Sequence, residues 1–277
     1  MKSGKLVLAL GITIVVGLVA PSASTAGAAT AGLAPATAGG GYWVAAPDGR
    51  VTAYGDTPHV GDMSQRRLNA PVVEIEATRS GGGYWLVASD GGVFTFGDAT
   101  FHGSSATAPR AHPVSDIEPT PSGRGYWLLQ VNGPVWGYGD AAELDETLGI
   151  SHPAPGNFLI SLTATLSGRG YWIVDEQGRV SAFGDARHFG DATGLRLNAP
   201  IVAIERSPTG NGYWLTGRDG GVFSFGDARF HGSAASLPLR AGIKDMEPTS
   251  SGDGYWLLGD DGGVFTFGAA RFHGAHS

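Results

Sequence analysis

The sequence contains no cysteine, which excludes disulfide bonds and thiolate metal sites. Charge is also scarce: only 16% of the residues are Asp, Glu, Lys or Arg, and no run of Lys or Arg occurs. With a formal net charge of -7, the chain lacks the cationic surface that nucleic-acid binding requires. We therefore expect no nucleic-acid partner, and a protein that is held together by its core.

Long apolar runs are absent too, apart from one near the N-terminus. Lys2 and Lys5 precede the apolar residues 6–20, and small residues that suit signal peptidase follow Pro21. The apolar run is short for a membrane-spanning helix, which needs about 20 residues. We predict that residues 1–29 are a cleaved signal peptide. The mature protein would be secreted or associated with the cell envelope, with no membrane span.

Glycine and aromatic residues, by contrast, are abundant. The chain has 46 Gly, together with 7 Trp, 8 Tyr and 12 Phe. Many glycines with few charges are typical of all-β proteins that have many tight turns. So much aromatic surface needs a packed core, which excludes a disordered chain.

An internal repeat dominates the sequence. The tripeptide Gly-Tyr-Trp occurs six times, at spacings of 42, 42, 45, 42 and 42 residues. A second aromatic residue follows each Trp by 11 positions, then Gly, and then Asp in five of the six copies. RLNAPVVEIEA (67–77) also matches RLNAPIVAIER (196–206), so we infer that a block of three repeats was duplicated. The six tryptophans are Trp43, Trp85, Trp127, Trp172, Trp214 and Trp256.

Each repeat predicts four strands. In the fifth copy, residues 199–207 alternate and are β-branched, which favours a first strand. A second strand is predicted over 213–217, and an Asp-Gly hairpin turn joins it to a third over 222–226. Residues 228–233 predict a short fourth strand.

Four strands in about 42 residues are typical of one blade of a β-propeller. We predict that residues 30–277 form a six-bladed β-propeller, with tandem β-trefoils as the alternative. The unbroken phase of the repeat favours a single ring. The first copy has a poor first strand, residues 30–36, in which only Leu33 matches the apolar pattern. Ring closure is therefore expected to depend on packing more than on a shared strand.

The repeat resembles that of one known family. Residues 83–104, GYWLVASDGGVFTFGDATFHGS, match almost throughout a repeat of secreted actinobacterial proteins, GYWLVASDGGVFTFGDAxFHGS. That family is similar to β-propeller modules, which are often attached to cell-wall-active enzymes. The resemblance covers essentially all of residues 40–277, and it implies an architecture and an envelope location rather than an activity.

Acidic residues on the first strands are the main functional candidates. If this strand is innermost, alternate side chains face the central channel, and Val73 and Ile75 point into the blade. An acidic ring in a confined space attracts cations and raises carboxyl pKa values. The alternative is that these acids are solvated or bond neighbouring blades. The predicted channel-lining ligand positions are Glu76, Glu118, Thr163, Glu205 and Glu247, and the metal candidates, with Ca²⁺ as the expected ion, are Glu74, Asp116 and Asp245.

The other repeated residues are predicted to be structural. The Tyr and Trp side chains are expected to pack between blades. The Asp after the third strand is expected to accept backbone N–H hydrogen bonds in the turn that follows that strand. The sequence has no Ser/His/Asp arrangement, phosphate loop or zinc motif. We therefore predict a non-catalytic binding or scaffold module of the cell envelope, with a cell-wall glycan, peptide or protein ligand. The alternative is a Ca²⁺-dependent hydrolase or lyase that acts at the channel.

Overall fold

A computed structural model describes residues 29–36, 40–106, 112–132, 134–142, 144 and 157–276. These residues form 18 β-strands and no helix, so the all-β prediction is confirmed. In the part of the chain so described, no helix is long and apolar enough to cross a membrane. The predicted signal peptide, residues 1–29, lies outside the described residues except for its last position.

The strands form six separate antiparallel sheets of three strands each. Every sheet is built from one repeat, because its three strands are consecutive in the chain. The strands are β1 (Gly32–Ala36), β2 (Gly41–Ala45), β3 (Val51–Gly55), β4 (Val72–Ala77), β5 (Tyr84–Ala88), β6 (Val93–Phe96), β7 (Val114–Pro119), β8 (Gly125–Gln130), β9 (Val135–Gly139), β10 (Leu159–Ala164), β11 (Gly170–Asp175), β12 (Val180–Gly184), β13 (Ile201–Arg206), β14 (Gly212–Gly217), β15 (Val222–Gly226), β16 (Ile243–Pro248), β17 (Gly254–Gly259) and β18 (Val264–Gly268).

The predicted fourth strand is wrong. Residues 228–233 are irregular, and their sheet ends at β15. Side chains hold this segment instead of a ladder of backbone hydrogen bonds: the Trp214 indole N–H donates to the Arg229 carbonyl at 2.7 Å. The tryptophans of the other five Gly-Tyr-Trp copies make the same contact with the carbonyl 15 residues later, at 2.7–2.9 Å. The aromatic residues there predict a strand, but tertiary contacts determine its shape.

The repeated Tyr and Trp side chains pack between sheets, as predicted. Every Tyr and Trp of the six Gly-Tyr-Trp copies is buried. Each Trp contacts the Tyr of the following sheet, with ring centroids 5.1–6.0 Å apart. Such tilted and edge-on pairs are worth about 0.5–1.5 kcal/mol each beyond their buried area. The six aromatic pairs therefore form the core between units.

The six sheets follow one another in a ring. The first strands contact in the order β1, β4, β7, β10, β13 and β16, and β16 contacts β1 again. Trp256 packs on Tyr42 across this last junction, and the Tyr42 hydroxyl donates to the Gly274 carbonyl at 2.6 Å. Tandem trefoils would instead close within each half of the chain. The arrangement fits a repeat β-propeller, and no strand is shared between its last and first sheets.

Candidate functional site

A cavity of about 320 Å³ lies among the first strands of five sheets, β4, β7, β10, β13 and β16. Glu76 and Glu205, two of the predicted channel positions, line it. The other three predicted channel positions have the same register, since each stands opposite the Trp of its second strand. They do not line the cavity; they are Glu118, Thr163 and Glu247. All three predicted metal candidates, Glu74, Asp116 and Asp245, also line the cavity.

A β-bulge places additional side chains at the cavity. In β4 the register passes from Val72 opposite Ala88 to Glu74 opposite Val87, which leaves Val73 as an extra residue. Val73 packs against the hydrophobic core that contains Trp85, as predicted, but it also lines the cavity, which was not predicted. Ile75 is fully buried, as predicted. The same bulge occurs in four other first strands, where the extra residues Ser115, Ile160, Val202 and Lys244 line the cavity as well.

Three of the candidate acids connect neighbouring sheets. The Asp116 carboxylate accepts a hydrogen bond from the Leu162 N–H of the next sheet at 2.6 Å, and Glu118 accepts one from Ala164 at 2.8 Å. Because first strands have a free edge, their N–H groups need acceptors from outside the ladder. The interpretation that such acids bond neighbouring blades is confirmed for these two. Asp245 does the same between the last sheet and the first, where it accepts the Leu33 N–H at 2.9 Å.

The remaining glutamates are less well satisfied. Within the described residues, Glu76, Glu205 and Glu247 make no hydrogen bond and no ion pair. Glu74 accepts only the N–H of its neighbour Ile75, at 3.0 Å. Its carboxylate lies over Gly32 of the first sheet, where a Cβ atom would come within 1.7 Å of Oε1. The missing side chain of Gly32 therefore makes room for Glu74.

Burial raises the pKa of all seven of these carboxyl groups, and it is the largest cause in every case. The pKa of Asp116 and that of Glu118 rise to about 7. The pKa of Glu76 rises well above its usual value, because the neighbouring carboxyls, first among them Glu247, add repulsion. The pKa is also raised for Glu74, Glu205, Asp245 and Glu247.

Two cationic side chains oppose these shifts. Lys244 lowers the pKa of Glu74, and Arg206 lowers the pKa of Glu118 and of Glu205. No cation is among the main influences on Glu76 or Glu247. The cavity therefore carries more carboxyl groups than its cations can balance, and part of them hold protons at neutral pH.

The described residues contain no group of three His, Cys, Asp or Glu side chains that could hold a metal ion. The calcium candidates Glu74, Asp116 and Asp245 come from three different sheets, and all three already accept backbone N–H groups. Ca²⁺ takes six to eight oxygen ligands. The described residues therefore contain no group of ligands that supports the calcium prediction.

The Asp that follows the third strand has a structural role, as predicted, but its main partners are hydroxyl groups of an earlier turn rather than the predicted backbone N–H groups of its own turn. Asp140 accepts a hydrogen bond from Thr120 at 2.8 Å and from Ser122 at 2.6 Å, and these bonds lower its pKa. This ties the end of the third strand to the turn between the first two. Sequence reasoning missed the hydroxyl pair, although Ser or Thr recurs 20 and 18 residues before the Asp. The equivalent clusters are centred on Asp98, Asp185 and Asp227.

Comparison with protein-family models finds no match, and comparison with curated proteins finds none either.

Proposed function

We propose that this chain is a secreted six-bladed β-propeller that acts as a non-catalytic binding or scaffold module in the cell envelope. Its ligand would be a glycan, peptide or protein of the envelope. The observation that carries the proposal is how the repeated side chains are used. The Tyr hydroxyl, the Trp indole and the Asp carboxylate of the repeat form hydrogen bonds within the fold, as Tyr42, Trp214 and Asp140 do. Such a repeat is suited to building a rigid scaffold.

The outer surface offers repeated contact points for a ligand. Phe101 and Phe230 are each 55% exposed and Phe272 is 43% exposed, and all three occupy the same position of the repeat. They lie in the irregular segment after the third strand, and hence away from the ring of first strands. Three equivalent contacts, on the second, fifth and sixth repeats, suit a repetitive polymer, because linked contacts add to avidity. A cell-wall glycan meets that requirement.

Retention of the protein on purified peptidoglycan tests this function. We expect the protein to be retained above an unrelated control protein, and the triple variant F101S/F230S/F272S to be retained less. The variant L166S/L195S is the matched control, because Leu166 and Leu195 are also about half exposed, at 49% and 50%. Retention no greater than that of the control protein would contradict a wall-binding role.

The second candidate, a Ca²⁺-dependent hydrolase or lyase, is favoured only by the acidic cavity. The same experiment distinguishes the two functions when it is run in excess Ca²⁺ and in a chelator. A binding module is expected to be retained equally in both conditions and to release no soluble fragments. Fragments that appear only with Ca²⁺ would favour the enzyme.

A further inference from the structure

Residues 271–276, which we call the closing segment, pack from the last sheet onto the first at the junction where the chain is not continuous, the closing junction. The Tyr42 hydroxyl of the first sheet accepts the His273 N–H at 3.2 Å and donates to the Gly274 carbonyl at 2.6 Å. The His276 ring lies edge-on against Tyr54, with ring centroids 5.9 Å apart. The closing segment is therefore held across the junction by two aromatic side chains of the first sheet.

His276 occupies a position of the repeat that has the same backbone contact in each described copy. Its N–H donates to the carbonyl of the hairpin glycine, Gly262, at 3.2 Å, and the equivalent bonds elsewhere are 2.9–3.1 Å long. Among the five described copies, His276 is the only titratable residue at this position. The other four residues there are buried, and they are Met63, Ser105, Ala192 and Ala234.

The surroundings of the His276 ring suit its neutral form. Within the part of the chain that the structure describes, its Nε2 atom is buried and has no hydrogen-bond partner. Both nitrogens of a protonated imidazole carry hydrogen, so Nε2 would become a buried donor without an acceptor, which is unfavourable. Burial accordingly lowers the pKa of His276, and the nearby Arg50 lowers it further.

The groups of the first sheet that face His276 do little to balance an added charge. Asp48 and the Val44 carbonyl raise the pKa of His276, against the effects of burial and Arg50. The Asp48 carboxylate, however, already forms an ion pair with Arg50 at 3.0 Å. Tyr54 stays neutral over the range in which histidine titrates, because burial raises its pKa to about 12.

The acids of the last sheet that flank the hairpin glycine also have partners. Asp261 accepts the Gly263 N–H at 3.1 Å, and Asp260 forms an ion pair with Arg218. His273, three residues before His276 in the closing segment, adds a second imidazole but no negative charge. A proton on His276 would therefore meet no unpaired carboxylate among these neighbours.

We propose that His276 makes the closing junction sensitive to pH: its neutral ring keeps the closing segment on the first sheet, and protonation of the ring separates the two. Histidine titrates just below neutral pH, so mild acidification is sufficient. Separation would uncover the Tyr42 hydroxyl and the Tyr54 ring. The inference goes beyond the proposed binding function and does not depend on its ligand.

Hydrogen exchange of single backbone N–H groups, followed by NMR spectroscopy of the full-length protein at pH 7 and pH 5, tests this inference. The His273 N–H reports on the closing junction. The His231 N–H is the matched control, because it donates to the Tyr255 hydroxyl at 3.1 Å at a junction where Ala234 stands in place of His276. A group with a lowered pKa in the folded state loses its stabilising contribution as the pH falls. After correction for intrinsic exchange, protection of His273 should therefore fall roughly threefold or more from pH 7 to pH 5, and that of His231 should not.

Two variants separate His276 from the other titrating groups. H276A and H276M each introduce a residue that other repeats have at this position, and both should abolish the pH dependence at His273. H188A is the control variant, because His188 is an exposed histidine of another repeat, and it should leave that dependence unchanged. Equal pH dependence at His273 and His231, or a dependence at His273 that persists in H276A and H276M, would overturn the proposal.

Discussion

Asp140 between its two hydroxyl groups represents a recurrent polar contact of this fold. Four repeats have the complete cluster, and the two incomplete ones are the first and the last. In the first repeat Ala36 stands 20 residues before Asp56, where the other repeats have the first Ser or Thr. In the last repeat Ala269 replaces the Asp. In the last repeat both hydroxyl groups remain, with Thr249 and Ser251 3.3 Å apart. The cluster has therefore been lost only in the two repeats that meet at the closing junction.

Restoring the missing carboxylate should stabilise the protein. In A269D, the new side chain is expected to accept hydrogen bonds from Thr249 and Ser251. Because the equivalent sites are solvent-exposed, the gain in unfolding free energy should be about 1 kcal/mol, or roughly 2–4 °C in Tm. Thermal melting measures this, with A269N as the control of equal size. A Tm below that of the parent would show that the last repeat does not form the cluster.

The strands were predictable to different degrees. Alternating residues and tight-turn sequences predict the first three strands of most repeats, because local sequence determines both. The exception is β1, which forms although residues 30–36 match the pattern poorly. The fourth strand was predicted wrongly, since the Trp214 indole and its equivalents hold that segment from outside. The bulge at Val73 was not predictable either, because Val73 continues the β-branched pattern of its strand. Five of the seven predicted acids therefore line the cavity, but the bulge residues beside them were not predicted to do so.

The contact between neighbouring first strands can be tested at Asp116. D116A should lower the unfolding free energy by about 1–3 kcal/mol, because it leaves the buried Leu162 N–H without an acceptor. D116N keeps an oxygen acceptor but removes the charge, so it should retain most of the parent stability. Urea unfolding of the three proteins measures both effects. Equal stability of D116A and the parent would show that the hydrogen bond between these sheets contributes nothing.

At the scale of the whole molecule, the first-strand acids and the turn acids give stability opposite pH dependences. Burial raises the pKa of Asp116 and of Glu118 to about 7, above the value of about 4 expected in the unfolded chain. Between these values the folded protein holds more protons than the unfolded chain, so stability falls as the pH rises. Asp98, Asp140 and Asp185 have lowered pKa values, and their contribution is lost only as the pH falls below about 4.

We therefore expect maximal stability near pH 5. Tm should fall by roughly 5 °C or more between pH 5 and pH 8 as the cavity carboxyl groups ionise. The variant E76Q/E205Q/E247Q should reduce this dependence, since glutamine does not titrate. Melting curves from pH 4 to pH 9 test both expectations. A Tm that increases from pH 5 to pH 8 would contradict the assigned protonation of the cavity.

Each sheet consists of one uninterrupted stretch of chain, and only the junction between the last and first sheets has no covalent link. Its contacts are nevertheless of the same kind as those elsewhere: Trp256 meets Tyr42 as Trp85 meets Tyr126, and Asp245 accepts the Leu33 N–H as Asp116 accepts that of Leu162. The aromatic contact is therefore the same at all six junctions, and the closing junction shares its carboxylate contact with the junction between the third and fourth sheets. The fold is suited to circular permutation, because moving the chain break to another loop between sheets leaves all 18 strands paired as they are.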